Sequence, residues 1–160
     1  MTTAPPGTTV QLLVFRLDDQ RYAVPLATVE RVIRAVAVTP LPGAPAIVHG
    51  AIDVHGRVFP VVNVRRRFLM PDRAISPADW FLLAYTVRHT VALAVDESDG
   101  VIERSQTDIV ASTQVVPGLE YFPGVVRLDE GLALIHDLDR FLSLDEARAL
   151  DEAMDETSKR

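Results

Sequence analysis

Between Pro45 and Arg65 two apolar runs, Ala46-Ile47-Val48 continuing to Ile52 and Val58-Phe59-Pro60-Val61-Val62, meet at a Gly56-Arg57 turn and pass directly into three arginines. This reads as a β-hairpin. Glycine at the turn tolerates positive φ, and the β-branched residues on either side suit a pleated, half-buried surface. The same pattern recurs along the chain. Val10–Leu17 and Tyr22–Pro25 flank an Asp18-Asp19-Gln20 turn, and Trp80–Tyr85 faces Thr90–Val95 across Arg88-His89. Tyr121–Val126 turns through Asp129-Glu130-Gly131 into Leu132–Ile135. Such Asp and Gly clusters between apolar runs are turn signals with a mechanism, because Asp bonds its own backbone and Gly supplies positive φ.

Prolines 40, 42 and 45 forbid regular structure over the linker before the hairpin, and Pro71 and Pro77 bracket a loop after it. Ala27–Val32 reads as one or two helical turns with Val29 and Val32 inward, since residues three apart share a helix face. Ser143-Leu144-Asp145-Glu146 is a capping-box pattern, followed by Leu144, Ala147, Leu150 and Met154 at helical spacing. An amphipathic helix is expected over 143–156. Many short strands punctuated by Pro and Gly make the chain mainly β, a barrel architecture with helical accessories.

Length and composition narrow the function. A chain of 160 residues, 48% hydrophobic, can bury one core or two small ones without staples. With no cysteine there is no disulfide, thiolate metal site or cysteine nucleophile, which fits a reducing cytoplasm. The start, Met1-Thr2-Thr3-Ala4-Pro5-Pro6-Gly7, lacks a basic n-region and an apolar core, so it reads as a disordered lead and not as a secretory signal. The apolar runs are too short to span a bilayer, so no direct membrane insertion is expected. A net charge of −6 argues against electrostatic capture of nucleic acid. The one basic cluster, Arg65-Arg66-Arg67, precedes Phe68-Leu69-Met70 and reads as a short helix with its charges outward, either a solvated face or a partner-facing patch.

His49, Asp53 and His55 are the best candidates for chemistry. On an uninterrupted strand their two-residue spacing would place all three on one face, where imidazole and carboxylate can bind zinc or move protons. Gly50 interrupts that geometry, and polar surface residues are the competing reading. Asp137 of the His136-Asp137 pair reads as the N-cap of Leu138–Leu142 rather than as an acid-base partner. No Gly-x-Gly-x-x-Gly, Gly-Lys-Ser/Thr or Gly-x-Ser-x-Gly motif occurs. The expectation is a protein that is not an enzyme and uses no cofactor or metal.

Gly50, Ile52, Gly56, Pro60, Val61 and Arg65 stand in an order that resembles the CheW family of chemotaxis coupling proteins, whose typical run is Gly-x-Ile-Asn-x-Arg-Gly, then Pro-Val, then Asp-Leu-Arg. Leu13–Leu17, Tyr22–Leu26, Val29–Ile33 and the Leu41-Pro42-Gly43-Ala44-Pro45 linker resemble the family's first half. Ala92–Asp96, Ile109-Val110, Gly124-Val125 and Leu134–Leu138 resemble its second. The resemblance implies two small SH3-like five-stranded barrels packed together over residues 10–142, after a lead over 1–9 and before a C-terminal helix and tail over 143–160. It implies a cytoplasmic, non-enzymatic adaptor recruited to membrane-anchored receptor arrays. Its partners would be the regulatory domain of a CheA-type histidine kinase and the signalling tip of a chemoreceptor.

The resemblance also places a receptor helix between the barrels. That would set Val29, Val32 and Ile33 as apolar anchors, unless they are core, with Gly50, Asp53 and His55 of the adjacent strand beside them and Glu30, Arg31 and Arg65 as rim charges. Two departures stand out. The chain has Asp53-Val54-His55-Gly56 where the family has Asn-x-Arg-Gly, and Asn63 where the family has Asp. Arg57 is the candidate substitute for the missing arginine. Asp53 and Asn63 look like a polar pair with exchanged roles. A protein-binding β-barrel module outside chemosensing is the first alternative, and a metal-dependent enzyme using His49, Asp53 and His55 a distant second.

Overall fold

A computed structural model describes residues 9–111, 124–140 and 143–158. Among the described residues eleven strands fall into two sheets. The first takes β1 (Thr9–Leu17), β2 (Gln20–Pro25), β8 (Glu97–Ser105), β9 (Ile109–Ala111), β10 (Gly124–Leu128) and β11 (Gly131–Ile135), in the order β8-β1-β2-β11-β10-β9. Because β8 runs through the single 3-10 turn Gln106–Asp108 into β9, the two ends of that order are one continuous segment and the sheet closes on itself. The second takes β3 (Val29–Arg34), β4 (Val48–Val54), β5 (Arg57–Val62), β6 (Trp80–Tyr85) and β7 (Thr90–Val95), in the order β3-β6-β7-β5-β4. It closes where the chain beyond β3 bridges β4, with Thr39 and Ala51 exchanging both backbone bonds at 2.9 and 2.8 Å. The expected pair of small five-staved barrels is the observed architecture.

The continuous apolar runs of the sequence follow from this pairing. On β1, Leu12 and Val14 face the interior of the first barrel while Leu13, Phe15 and Leu17 face a core shared between the barrels. On β6, Phe81 and Leu83 fill the second barrel while Leu82 and Ala84 meet that shared core. A strand at the seam has apolar neighbours on both faces, so alternation is lost and the run reads as uniformly hydrophobic. Each such leucine, valine or phenylalanine fully buried contributes roughly 1.5–3 kcal/mol.

Ala27–Val32 is not α-helical. Leu26–Thr28 is one 3-10 turn, and Val29 opens a strand that pairs with β6. Val29, Val32 and Ile33 are β-branched and gain more from a pleated surface than from a short helix. Val29 and Val32 still share a face, because a bulge between Val29 and Arg31 sets them opposite Ala84 and Leu82 and resets the alternation. The polar β8, which composition hides, pairs with β1 along its whole length, from Thr9↔Ser105 to Arg16↔Glu97.

Helix α1 covers Val64–Arg67, and helix α2 covers Leu144–Ser158 behind the expected capping box: the Glu146 N–H donates to Ser143 Oγ at 3.1 Å, and the Ser143 N–H to Glu146 Oε1 at 2.8 Å. Leu150 and Ala153 bury against Leu41 of the proline linker. Asp137 Oδ1 accepts the Asp139 N–H at the start of the 3-10 turn Leu138–Arg140, as its reading as a cap requires. The lead lies outside the described residues except for Thr9, as do Tyr121–Pro123 of the expected strand and residues 159–160 of the tail. No helix among the described residues is long and apolar enough to cross a membrane.

Candidate functional site

The β4–β5 hairpin turns at His55-Gly56, one residue earlier than the sequence reading. Their φ values of +52° and +86° are those of a two-residue turn with both central residues left-handed, and Val54↔Arg57 is the pair that closes it. Asp53 Oδ1 accepts the Gly56 N–H at 2.8 Å and steadies the turn. His55 therefore stands in the turn and has no strand face in common with Asp53. Gly50 sits at a second bulge, between Val48 and Gly50 in the ladder with β5. A Cβ there would lie 2.3 Å from the Thr39 carbonyl oxygen, at a φ of +152°. This buried glycine lets the barrel close, and it positions the hairpin without presenting a contact.

His49, before that bulge, is half-buried. Burial pushes its pKa below the ordinary 6.5, with Asp72 opposing and Arg66 reinforcing the shift. The bulge and the turn break the two-residue spacing on which a His49-Asp53-His55 site depended. Among the described residues no three His, Asp or Glu side chains could hold a metal ion.

On β3, Glu30 reaches across the mouth of the second barrel to Arg57, Oε1 to Nη1 at 2.5 Å. The Arg57 guanidinium lies 4.8 Å from the centre of the Phe59 ring, so one cation serves an ion pair and an aromatic face together. Hydrogen bonding to Glu30 raises the Arg57 pKa further. Arg31 is exposed. Val29 and Val32 lie half-buried against the core shared by the barrels, accessible at the seam, whereas Ile33 packs on the interior of the second barrel and leaves the anchor set. Exposed Tyr85 and Val58 were not expected from sequence; each continues an apolar strand into solvent, the signal that could have found them.

The arginine run departs most from expectation. Arg65 is 7% exposed, not outward. Its guanidinium binds Asp18 of the β1–β2 turn at 2.7 and 3.1 Å and Asp96, between β7 and β8, at 2.5 Å. Arg73 then joins Asp96, 2.5 Å, to Asp79, 2.9 Å. Arg65 thus ties the two barrels together and cannot serve as a rim charge. Arg67 bonds Glu146 of α2, and Arg66 alone of the three points outward, to Asp72 at 2.7 Å. Asp53 and Asn63 form no pair: Asn63 Oδ1 caps α1 by accepting the Arg66 N–H at 3.0 Å, and its amide donates to Asp72. Each satisfies its own local backbone, which explains both without a swap.

Val29 and Val32 at the seam, Glu30, Arg31, His55 and Arg57 around the barrel mouth, and exposed Val58 and Tyr85 make a mixed surface suited to a protein partner: apolar anchors with rim charges. The family model described as "CheW-like domain" matches residues 11–146. The Treponema pallidum "Chemotaxis protein CheW" is 27% identical over 146 residues, covering 88% of this chain and 86% of that protein. "Protein FrzA" of Myxococcus xanthus is 28% identical over 100 residues, 62% of each chain. The crystal structure of the scaffolding protein TtCheW from Thermoanaerobacter tengcongensis superposes with a TM-score of 0.77 at 22% identity, covering 86% of this chain and 94% of that one.

Proposed function

The chain belongs to the CheW-like family, and from that premise we propose that it is a non-enzymatic adaptor coupling chemoreceptor signalling tips to a CheA-type histidine kinase in a chemosensory array. The observation that carries this reading is the construction of the body. Two closed barrels are fastened at a charged joint, while a seam with accessible Val29 and Val32 and a charged barrel mouth remain open. A body of this kind can hold two partners in fixed relative geometry. It then changes the equilibrium of one when the other changes, through a coupling free energy and without chemistry of its own.

Val29 and Val32 are the anchors for an amphipathic receptor helix, with Glu30, Arg31, His55 and Arg57 at the rim. Buried Gly50 and Arg65 position that surface from within, and exposed Asp53 steadies the hairpin turn at its edge. The adaptor works in the cytoplasm and reaches the membrane through the receptors it binds. The test is co-sedimentation with a CheA-type kinase and a receptor signalling fragment, reading kinase phosphorylation with and without the protein. Joint pelleting with a changed rate is the expected result; failure to bind either partner would leave a barrel module outside chemosensing.

A further inference from the structure

Between the β3–β6 ladder and the bridge that closes the second barrel, the chain runs through Ala35-Val36-Ala37-Val38. Its ends are pinned: the Ala35 N–H donates to the Asp79 carbonyl at 3.0 Å, and Thr39 pairs with Ala51. Between the pins, no hydrogen bond joins the backbone of Val36, Ala37 or Val38 to any described residue. Ala35 and Val38 pack on the interior of the second barrel, while Val36 is 44% exposed and Ala37 is exposed. Beside this edge lies a cleft of about 610 Å³, whose opposite wall is Ile75-Ser76-Pro77 and which His49 also lines.

An apolar edge with unpaired donors and acceptors is a template for another strand, and proteins ordinarily blunt such edges with charge, proline or a bulge. Neither charge nor proline occurs within residues 35–38. The charges lie at the approach instead. Arg31 and Arg34 are exposed and engage no carboxylate among the described residues, on a chain whose net charge is −6. The Arg34 guanidinium is held 4.2 Å from the centre of the Trp80 ring, so it is presented at the start of the edge and not left to wander.

We propose that residues 35–38 are a strand-addition site for an extended peptide segment of a partner protein, apolar at alternate positions and acidic at the end that lies beside Arg34. Alternate residues of the unpaired segment 36–38 supply the backbone hydrogen bonds, the cleft takes alternate side chains, and Arg34 selects the acidic flank. This site is separate from the seam anchors Val29 and Val32 and does not depend on a kinase or a receptor.

The test uses the full chain and synthetic peptides: acetyl-Glu-Glu-Thr-Val-Thr-Val-Thr-amide, its reverse, and the Gln-Gln counterpart of each. Binding is read by fluorescence anisotropy at low salt, and the site by amide hydrogen exchange. The expected result is saturable binding of one acidic peptide with slowed exchange at 36–38, about 5-fold or more weaker for its Gln counterpart and weakened by added salt. Ala37→Pro, which removes a donor from the segment and restricts its backbone, abolishes the protection while Ala37→Ser keeps it, both checked for an unchanged melting temperature. Unaltered exchange at 36–38 with either acidic peptide at millimolar concentration, or equal affinity for the acidic and Gln peptides, overturns the proposal. Protection that grows with protein concentration in the absence of peptide makes the occupant a second copy of the chain and overturns it equally.

Discussion

Arg65→Met separates the joint from the partner surface. Methionine keeps much of the stem's volume but removes every donor, so Asp18 and Asp96 lose their shared cation. Removing one partner of a buried ion pair typically costs about 3–5 kcal/mol, because the other charge is left uncompensated. Here the compensation is partial. Asp18 stands largely in water, and Asp96 keeps Arg73 at 2.5 Å and the Asp18 N–H at 2.7 Å. The expected loss is therefore about 2–3 kcal/mol, the lower end of that range and just below it. In a chain of this length each kcal/mol moves the midpoint by roughly 2–4 °C, so the melting temperature should fall by about 4–12 °C. Urea denaturation gives the free energy and calorimetry the midpoint, while titration with the receptor fragment at a temperature where the variant remains folded gives binding. A midpoint change below about 2 °C, or lost binding with unchanged stability, would refute the reasoning, since either result would place Arg65 on the surface and not in the joint.

Gly50→Ala should be far more costly than a surface change: its Cβ meets the Thr39 carbonyl in a left-handed backbone, so we expect at least about 2 kcal/mol of destabilisation, read by urea midpoint and accompanied by faster exchange at the Thr39 and Ala51 amides. Partial burial pushes the Glu146 carboxyl up, but the Ser143 N–H and the Arg67 charge outweigh it and hold it below its ordinary 4.5. Its contribution is therefore fully present above pH 4.5 and lost as pH falls through the lowered value; a melting curve of Glu146→Gln should show less acid sensitivity there than the parent. Proton NMR of His49 should give a titration midpoint below 6.5, the sign expected of a ring whose burial disfavours the imidazolium, and a midpoint above 6.5 would contradict its placement. Val29→Glu should weaken receptor-fragment binding about 10-fold or more while leaving the melting temperature within a few degrees, because Val29 is only half-buried at the seam.

The hairpins were legible because their signals are local. Asp18-Asp19, Asp129-Glu130 and the Gly56 region each carry turn chemistry between apolar runs, and the Ser143–Glu146 capping box states where α2 begins. The errors share a cause. Ala27–Val32 read as helix because Val29 and Val32 are three apart, and only the bulge in the pairing with β6 shows how a strand sets such residues on one face. His49, Asp53 and His55 read as one face because the bulge at Gly50 and the turn at His55-Gly56 are properties of pairing and not of spacing. Polar β8 carried no hydrophobic signature, although it forms a full ladder with β1.

By itself the sequence determined that this is a mainly β chain with tight turns and a capped C-terminal helix, and the order of its motifs was enough to recognise the family. Those features depend on near neighbours, through φ preferences, side-chain periodicity and backbone capping. What only the tertiary structure decided is which charges are structural and which are free. Arg65, Arg66 and Arg67 are chemically identical in the chain, yet one is buried between barrels, one is exposed, and one is tied to α2. The exposed one meets a carboxylate only 6 residues on, whereas the other two are fixed by carboxylates 47 and 79 residues away in sequence, brought within bonding distance by tertiary packing. No local pattern encodes a contact of that kind.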